Sequence, residues 1–121
     1  MSEAVEAAPL AHAFDFLKAL READAEVVDL IGPLFIDSCP EDLAQLRAAV
    51  ESGDFIQIER HAHTLRGIAG NFNAAPLVAS ARAVELAAGA QDLATVRQGM
   101  VQLVEAAADL SAALRIRILA Q

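Results

Sequence analysis

Between Glu59 and Asn73 the chain reads Glu-Arg-His-Ala-His-Thr-Leu-Arg-Gly-Ile-Ala-Gly-Asn-Phe-Asn. His63 is the residue in this run best suited to chemistry. Its imidazole has a reference pKa of about 6.5, so the neutral ring, with one nitrogen free to act as a nucleophile, is abundant at cellular pH. Phe55, Ile58, Ala62, Leu65, Ala69 and Phe72 recur at spacings of three and four, which predicts a helix with a buried stripe. His63, Arg66, Gly67 and Gly70 lie off that stripe and share a second face, because residues three, four and seven apart stack on one side. Each glycine inside a helix costs about 0.8–1 kcal/mol relative to alanine. In so alanine-rich a chain, two of them beside one histidine imply clearance: something bulky approaches the imidazole closely.

The rest of the chain supplies the elements that must hold this face. Residues 1–10 read as a flexible lead and residues 11–121 as one helical domain. A short helix is expected over about 11–22, with Phe14, Leu17, Ala13 and Leu20 inward. Asp24 is placed to cap a second helix, 25–52, carrying Val27, Val28, Ile31, Phe35, Leu43, Leu46 and Val50 and ending at Gly53. Pro40 predicts a kink near 36–40, or else a break into two helices with Ser38 as the cap. Asp54 caps the helix that carries His63, about 55–72, and Asn73 can end it in the left-handed conformation. Pro76 suits the first turn of the next helix, whose stripe is Leu77, Ala81, Val84 and Ala88, with its end near Gly89. The last helix, about 92–118, repeats Leu93, Val96, Met100, Leu103, Ala107, Leu110 and Leu114. No strand pattern competes. The predicted fold class is all-α: an antiparallel four-helix bundle with a short additional N-terminal helix.

Ala62-His63-Thr64-Leu65-Arg66-Gly67-Ile68-Ala69-Gly70, followed by Asn73 and Glu85, resembles the active-site helix of histidine-containing phosphotransfer (HPt) domains. That family's pattern is roughly Ala-His-x-Leu-Lys-Gly-x-Ala, then a helix-ending Gly and a Leu-Glu pair on the next helix. The likeness extends to Leu34-Phe35-Ile36-Asp37 with Leu43, Leu46 and Val50, and to the Gly53-Asp54 turn, spanning residues 24–92. Arg66 stands where the family has Lys, and Asn73 where it has Gly. Arg keeps the charge but presents a planar fork in place of a point charge.

The resemblance implies a phosphocarrier without kinase activity of its own, in a two-component phosphorelay. His63 would take a phosphoryl group on Nε2 and exchange it with an aspartate of a response-regulator receiver domain. Glu85 falls at the position of a carboxylate that orients the imidazole by accepting from Nδ1–H. Arg66 and Arg82 would offset the phosphoryl charge. Glu59, Gly67, Ile68 and Gly70 would meet the partner, a receiver domain or a histidine kinase, across a small transient interface.

Composition narrows the alternatives. A chain of 121 residues makes one domain, and a composition that is 55% hydrophobic but only 4% aromatic suits a core of closely packed helices. A net charge of −8 argues against nucleic acid, and no basic cluster suggests a membrane surface. The single Cys39 agrees with a reducing cytoplasm and reads as a packing residue. No signal peptide or spanning segment is visible. His61, two residues from His63, points to nearly the opposite side of the helix; His12 has no motif around it. No Glu-x-x-His pair, phosphate-binding loop or acidic cluster supports a metal or a cofactor, so the partner must bring any metal with the phosphoryl group. A sealed bundle with one exposed site is expected to be a monomer. Two other readings stay open: a degenerate HPt fold that docks a kinase or receiver without carrying phosphate, and the N-terminal phosphoacceptor domain of a chemotaxis-type kinase. Met1 and the end at Gln121 favour a free-standing protein over the latter.

Overall fold

The computed structural model describes residues 15–120, all of whose regular elements are helical. They are α1 (residues 15–22), α2 (Ala25–Ser52), α3 (Phe55–Gly70), α4 (Ala75–Gly89) and α5 (Leu93–Leu119). The expectations for residues 1–10, for His12 and for Ala13 and Phe14 fall outside the described residues. In the described part of α1, Phe16 and Leu20 enter the core while Leu17 is half-buried.

Local chemistry sets the ends of the long helices. The Asp24 carboxylate accepts from the backbone N–H of Glu26 and Val27 at 3.0 and 3.3 Å and starts α2. Gly53, at φ +66°, ends it in a conformation that costs glycine nothing, and the Asp54 carboxylate then caps α3 through the Gln57 N–H. The turn from α2 into α3 is thus one residue of left-handed backbone followed by one cap.

Helix α2 runs without a break from Ala25 to Ser52, so the two-helix alternative with Ser38 as a cap is not realised. It contains Pro33 as well as Pro40, each of which deprives the helix of one backbone donor. Both prolines lie on the exposed side, where water can reach the freed carbonyls. The opposite side keeps its apolar phase through Val28, Phe35, Cys39, Leu43, Leu46 and Val50, all buried. Continuity of that stripe against the neighbouring helices holds α2 together across the prolines. Cys39 is a packing residue with an inert thiol: burial pushes its pKa up, a hydrogen bond with Ser111 only partly opposes this, and the Asp42 charge adds to the rise.

The four long helices close a ring of neighbours, α2 on α3, α3 on α4, α4 on α5 and α5 back on α2, with α3 and α4 the most extensively packed pair. The predicted stripes all face the common core: Ile58, Ala62, Leu65 and Ala69 from α3, Leu77, Ala81, Val84 and Ala88 from α4, and Val96 through Leu114 from α5. Phe55 and Leu93, at the starts of their helices, are half-buried.

Helix α3 stops at Gly70, two residues earlier than its periodicity predicts. Phe72 belongs to the turn, yet it is fully buried and meets Phe35 of α2 edge to face at 5.6 Å between ring centroids. Its apolar character extended the apparent stripe past the true helix end. Asn73 does take the left-handed conformation, at φ +55°, after the helix rather than as its last cap. This anchored turn fixes how α4 lies along α3, and so which residue of α4 faces His63.

Candidate functional site

His63 projects from the middle of α3, with its side chain 65% exposed. The ring is nonetheless held. Its Nδ1 lies 2.8 Å from Glu85 Oε2 of α4, and Arg66, one turn further along α3, donates from Nε to Glu85 Oε1, also at 2.8 Å. The carboxylate therefore receives one donor on each oxygen, and its own side chain is only 17% exposed.

Arg66 Nη2 also comes within 3.1 Å of His63 Nδ1. A guanidinium can only donate, so Nδ1 cannot accept from Arg66 and donate to Glu85 at once. The carboxylate decides between the two. An unprotonated Nδ1 would set a lone pair against an anionic oxygen, whereas Nδ1–H makes a charge-assisted bond to it. With Nδ1 carrying the proton, Nε2 is the bare nitrogen of the neutral ring.

Partial burial acts to raise the Glu85 carboxyl. The hydrogen bonds from Arg66 and His63, with the charges behind them, outweigh it and hold the group below its ordinary value of 4.5. A lowered carboxyl stabilises the fold fully above its ordinary value and loses that contribution as pH falls through the lowered one. The stability advantage of the wild type over Glu85→Gln should thus shrink as pH falls below 4.5. Urea midpoints for the two proteins between pH 7 and pH 3 would measure this, and a gap that stayed constant to the acid end would contradict it.

The glycines of α3 differ in kind from those of the helix contacts. A Cβ placed on Gly67 or Gly70 would meet nothing within 4 Å. One on Gly99 would lie 2.9 Å from Val84 Cγ2, and one on Gly32 would lie 3.2 Å from Leu114 Cδ2. Gly32 and Gly99 allow helices to approach each other; Gly67 and Gly70 leave bare backbone facing solvent beside the imidazole.

The other predicted site residues are less uniform. Arg82 is exposed on α4 one turn before Glu85, with no ion pair of its own among the described residues. Glu59 is exposed one turn before His63, but its carboxylate leans across to α4, where its Oε2 would lie 3.0 Å from a Cβ on Gly89. Ile68 is half-buried and packs on the core, sharing a shallow depression with Asp42, Leu46, His61, Thr64 and Leu65 between α2 and α3. It is five residues from His63, about 140° around the helix, and so lies on the α2 side with His61 rather than on the His63 face.

Two apolar residues on the His63 side were not picked out from sequence. Ile56, two turns before His63 on α3, is 70% exposed, and Leu86, beside Glu85 on α4, is 63% exposed. Their signal was available: each is a large aliphatic off its helix's buried stripe. This part of the molecule also differs in charge. Residues 55–89 hold Arg60, Arg66 and Arg82 against Glu59 and Glu85, a net of +1, so the remaining 86 residues carry −9 of the total −8.

Among the described residues no cluster of His, Cys, Asp and Glu could hold a metal ion, and no helix is long and apolar enough to cross a membrane. The arrangement is an exposed, oriented imidazole with open backbone beside it. Comparison with curated proteins and with solved structures returns no match. The family model for the Hpt domain matches residues 33–115, which is most of the chain and includes every residue described above around His63; α1 lies outside the match. The chain belongs to the Hpt domain family, whose members are phosphocarriers of two-component signalling that work with receiver domains and kinases.

Proposed function

We propose that His63 is the phosphoacceptor and that the protein exchanges its phosphoryl group with an aspartate of a response-regulator receiver domain. The observation that carries this reading is the 2.8 Å contact of Nδ1 with Glu85 on a ring that is 65% exposed. It leaves Nε2 bare and directed away from the protein.

In the forward step the Nε2 lone pair attacks phosphorus of the receiver's aspartyl phosphate. The N–P bond forms as the P–O bond to the aspartyl carboxylate breaks, and the carboxylate leaves with that electron pair. The ring gains positive charge, which the hydrogen-bonded Glu85 stabilises. Reversal passes the group on. Arg82 adds positive potential around the incoming phosphoryl oxygens, and the receiver brings its own metal ion. Gly67 and Gly70, flanked by Ile56 and Leu86, form the seat for the partner; Glu59 lies at its edge. The locally positive α3–α4 surface draws in a partner whose active site is acidic.

This reading also takes the chain from about residue 11 onward as one antiparallel four-helix bundle, working as a cytoplasmic monomer. The experiment incubates the protein with a phosphorylated receiver or an active histidine kinase and follows the label. Phosphohistidine is acid-labile and alkali-stable, and peptide mapping should place it on His63. Absence of any label with a cognate partner would support a docking-only role.

A further inference from the structure

We infer that Arg66 is a positioning residue that acts on His63 through Glu85, rather than a ligand of the phosphoryl group. The inference rests on the reading of His63 as the acceptor and concerns how that acceptor is prepared.

Arg66 spends its Nε–H on Glu85 Oε1 at 2.8 Å, and its Nη2 lies 3.1 Å from Nδ1. The two ring nitrogens point away from one another, so the guanidinium sits at the edge of the ring opposite the reacting nitrogen. It is only one-third exposed, whereas a group that follows a phosphoryl in solvent would be free to swing. The Glu85 carboxylate has two oxygens, and each is taken by a different donor. With Oε1 pinned by Arg66, Oε2 has one position left, against Nδ1. A lone Glu85 would keep free rotation about its last torsion and compete for water.

The choice of arginine over lysine follows from this geometry. The planar guanidinium fixes the direction in which Nε–H meets Oε1, whereas a lysine ammonium would pair with Glu85 as a point charge and set no direction. The pair also brings no net charge to the Nδ1 edge. Glu85 thereby sets the direction of the ring and its tautomer without an uncompensated pull that would hold the phosphorylated, cationic ring in place. A relay has to release its cargo, and a charge-balanced orienting group suits that.

The test uses ¹⁵N NMR of the imidazole in the full chain, at a pH where the ring is neutral, beside single-turnover transfer from a phosphorylated receiver. In the wild type the His63 signals should report Nδ1–H with Nε2 bare. In Arg66→Met, which keeps length and loses charge and fork, the tautomer population should move toward Nε2–H, and transfer should slow by about 10-fold to 100-fold, the range for outer partners that orient a histidine. Arg66→Lys should recover part of both. Slower transfer in Arg66→Met with the tautomer unchanged would overturn the inference and make Arg66 a direct partner of the phosphoryl group or the receiver; unchanged rate and tautomer would overturn it too. Peptide mapping of the wild-type label checks the acceptor assignment separately, because the tautomer measurement needs no phosphate.

Discussion

Phosphoryl transfer to His63→Gln should fall to background, a loss of roughly 10³-fold or more, while the fold is kept. The size follows from chemistry: an amide nitrogen has no lone pair available for attack on phosphorus, and deleting the atom that forms the bond removes the step rather than slowing it. Retention of the fold follows from placement. The His63 side chain is 65% exposed and outside the core, and glutamine is at least as good a helix former. The change in unfolding free energy should stay within about 0.5 kcal/mol, as for surface substitutions generally. Label that persisted in this variant would move the acceptor elsewhere. His61 is a poor substitute, being half-buried on the side of α3 that faces α2.

How much of this could be read from the chain depended on which physical signal each feature leaves. A helix writes its buried face into its own sequence, so Ile58, Ala62, Leu65 and Ala69, or Val96 to Leu114, were legible from spacing alone. Caps are equally local, as Asp24, Gly53 and Asp54 illustrate. Features that weigh a local preference against distant packing were not fixed. Pro40 allowed a kink within one helix or a break into two, and the buried contacts of α2 decide that the helix continues across it and Pro33. Phe72 satisfied the helical period of α3 while belonging to the turn, since a core cares where a ring lands and not which element delivers it. Gln91, left-handed at φ +56°, carries no composition signal comparable to that of Gly53.

The site divides along the same line. That His63, Arg66, Gly67 and Gly70 share a face is a property of one helix and was read directly. Glu85 came from family likeness, because nothing in α3 says which residue of α4 lies opposite; that depends on the Asn71–Ala74 turn and the Phe72 anchor. The direction of the Arg66 fork lies further still from the sequence. A residue one turn from His63 could have extended toward Nε2 or folded back on Glu85, and the choice is made by a hydrogen bond across two helices. Ile68, placed at the partner surface by family likeness, is half-buried, and the helical angle sets it on the α2 side of α3.

Gly67→Leu should separate stability from function in opposite directions. A glycine inside a helix is about 0.8–1 kcal/mol worse than alanine, and leucine is nearly as good as alanine. No atom of the protein stands within 4 Å of the new Cβ, so nothing offsets that gain, and the urea midpoint should rise. Transfer should nevertheless fall by roughly 10²-fold, because a side chain one turn from His63 displaces the partner's phosphoryl donor by more than the small misplacement that in-line attack tolerates. Gly99→Leu is the contrasting case: its Cβ would lie 2.9 Å from Val84 Cγ2, so it should lower stability. If Gly67 were there for the fold, its replacement would resemble that of Gly99. A more stable Gly67→Leu protein that still accepted phosphate at the wild-type rate would show that the open backbone is not where the partner sits, and the seat would have to be sought on the Arg82–Leu86 side of the imidazole.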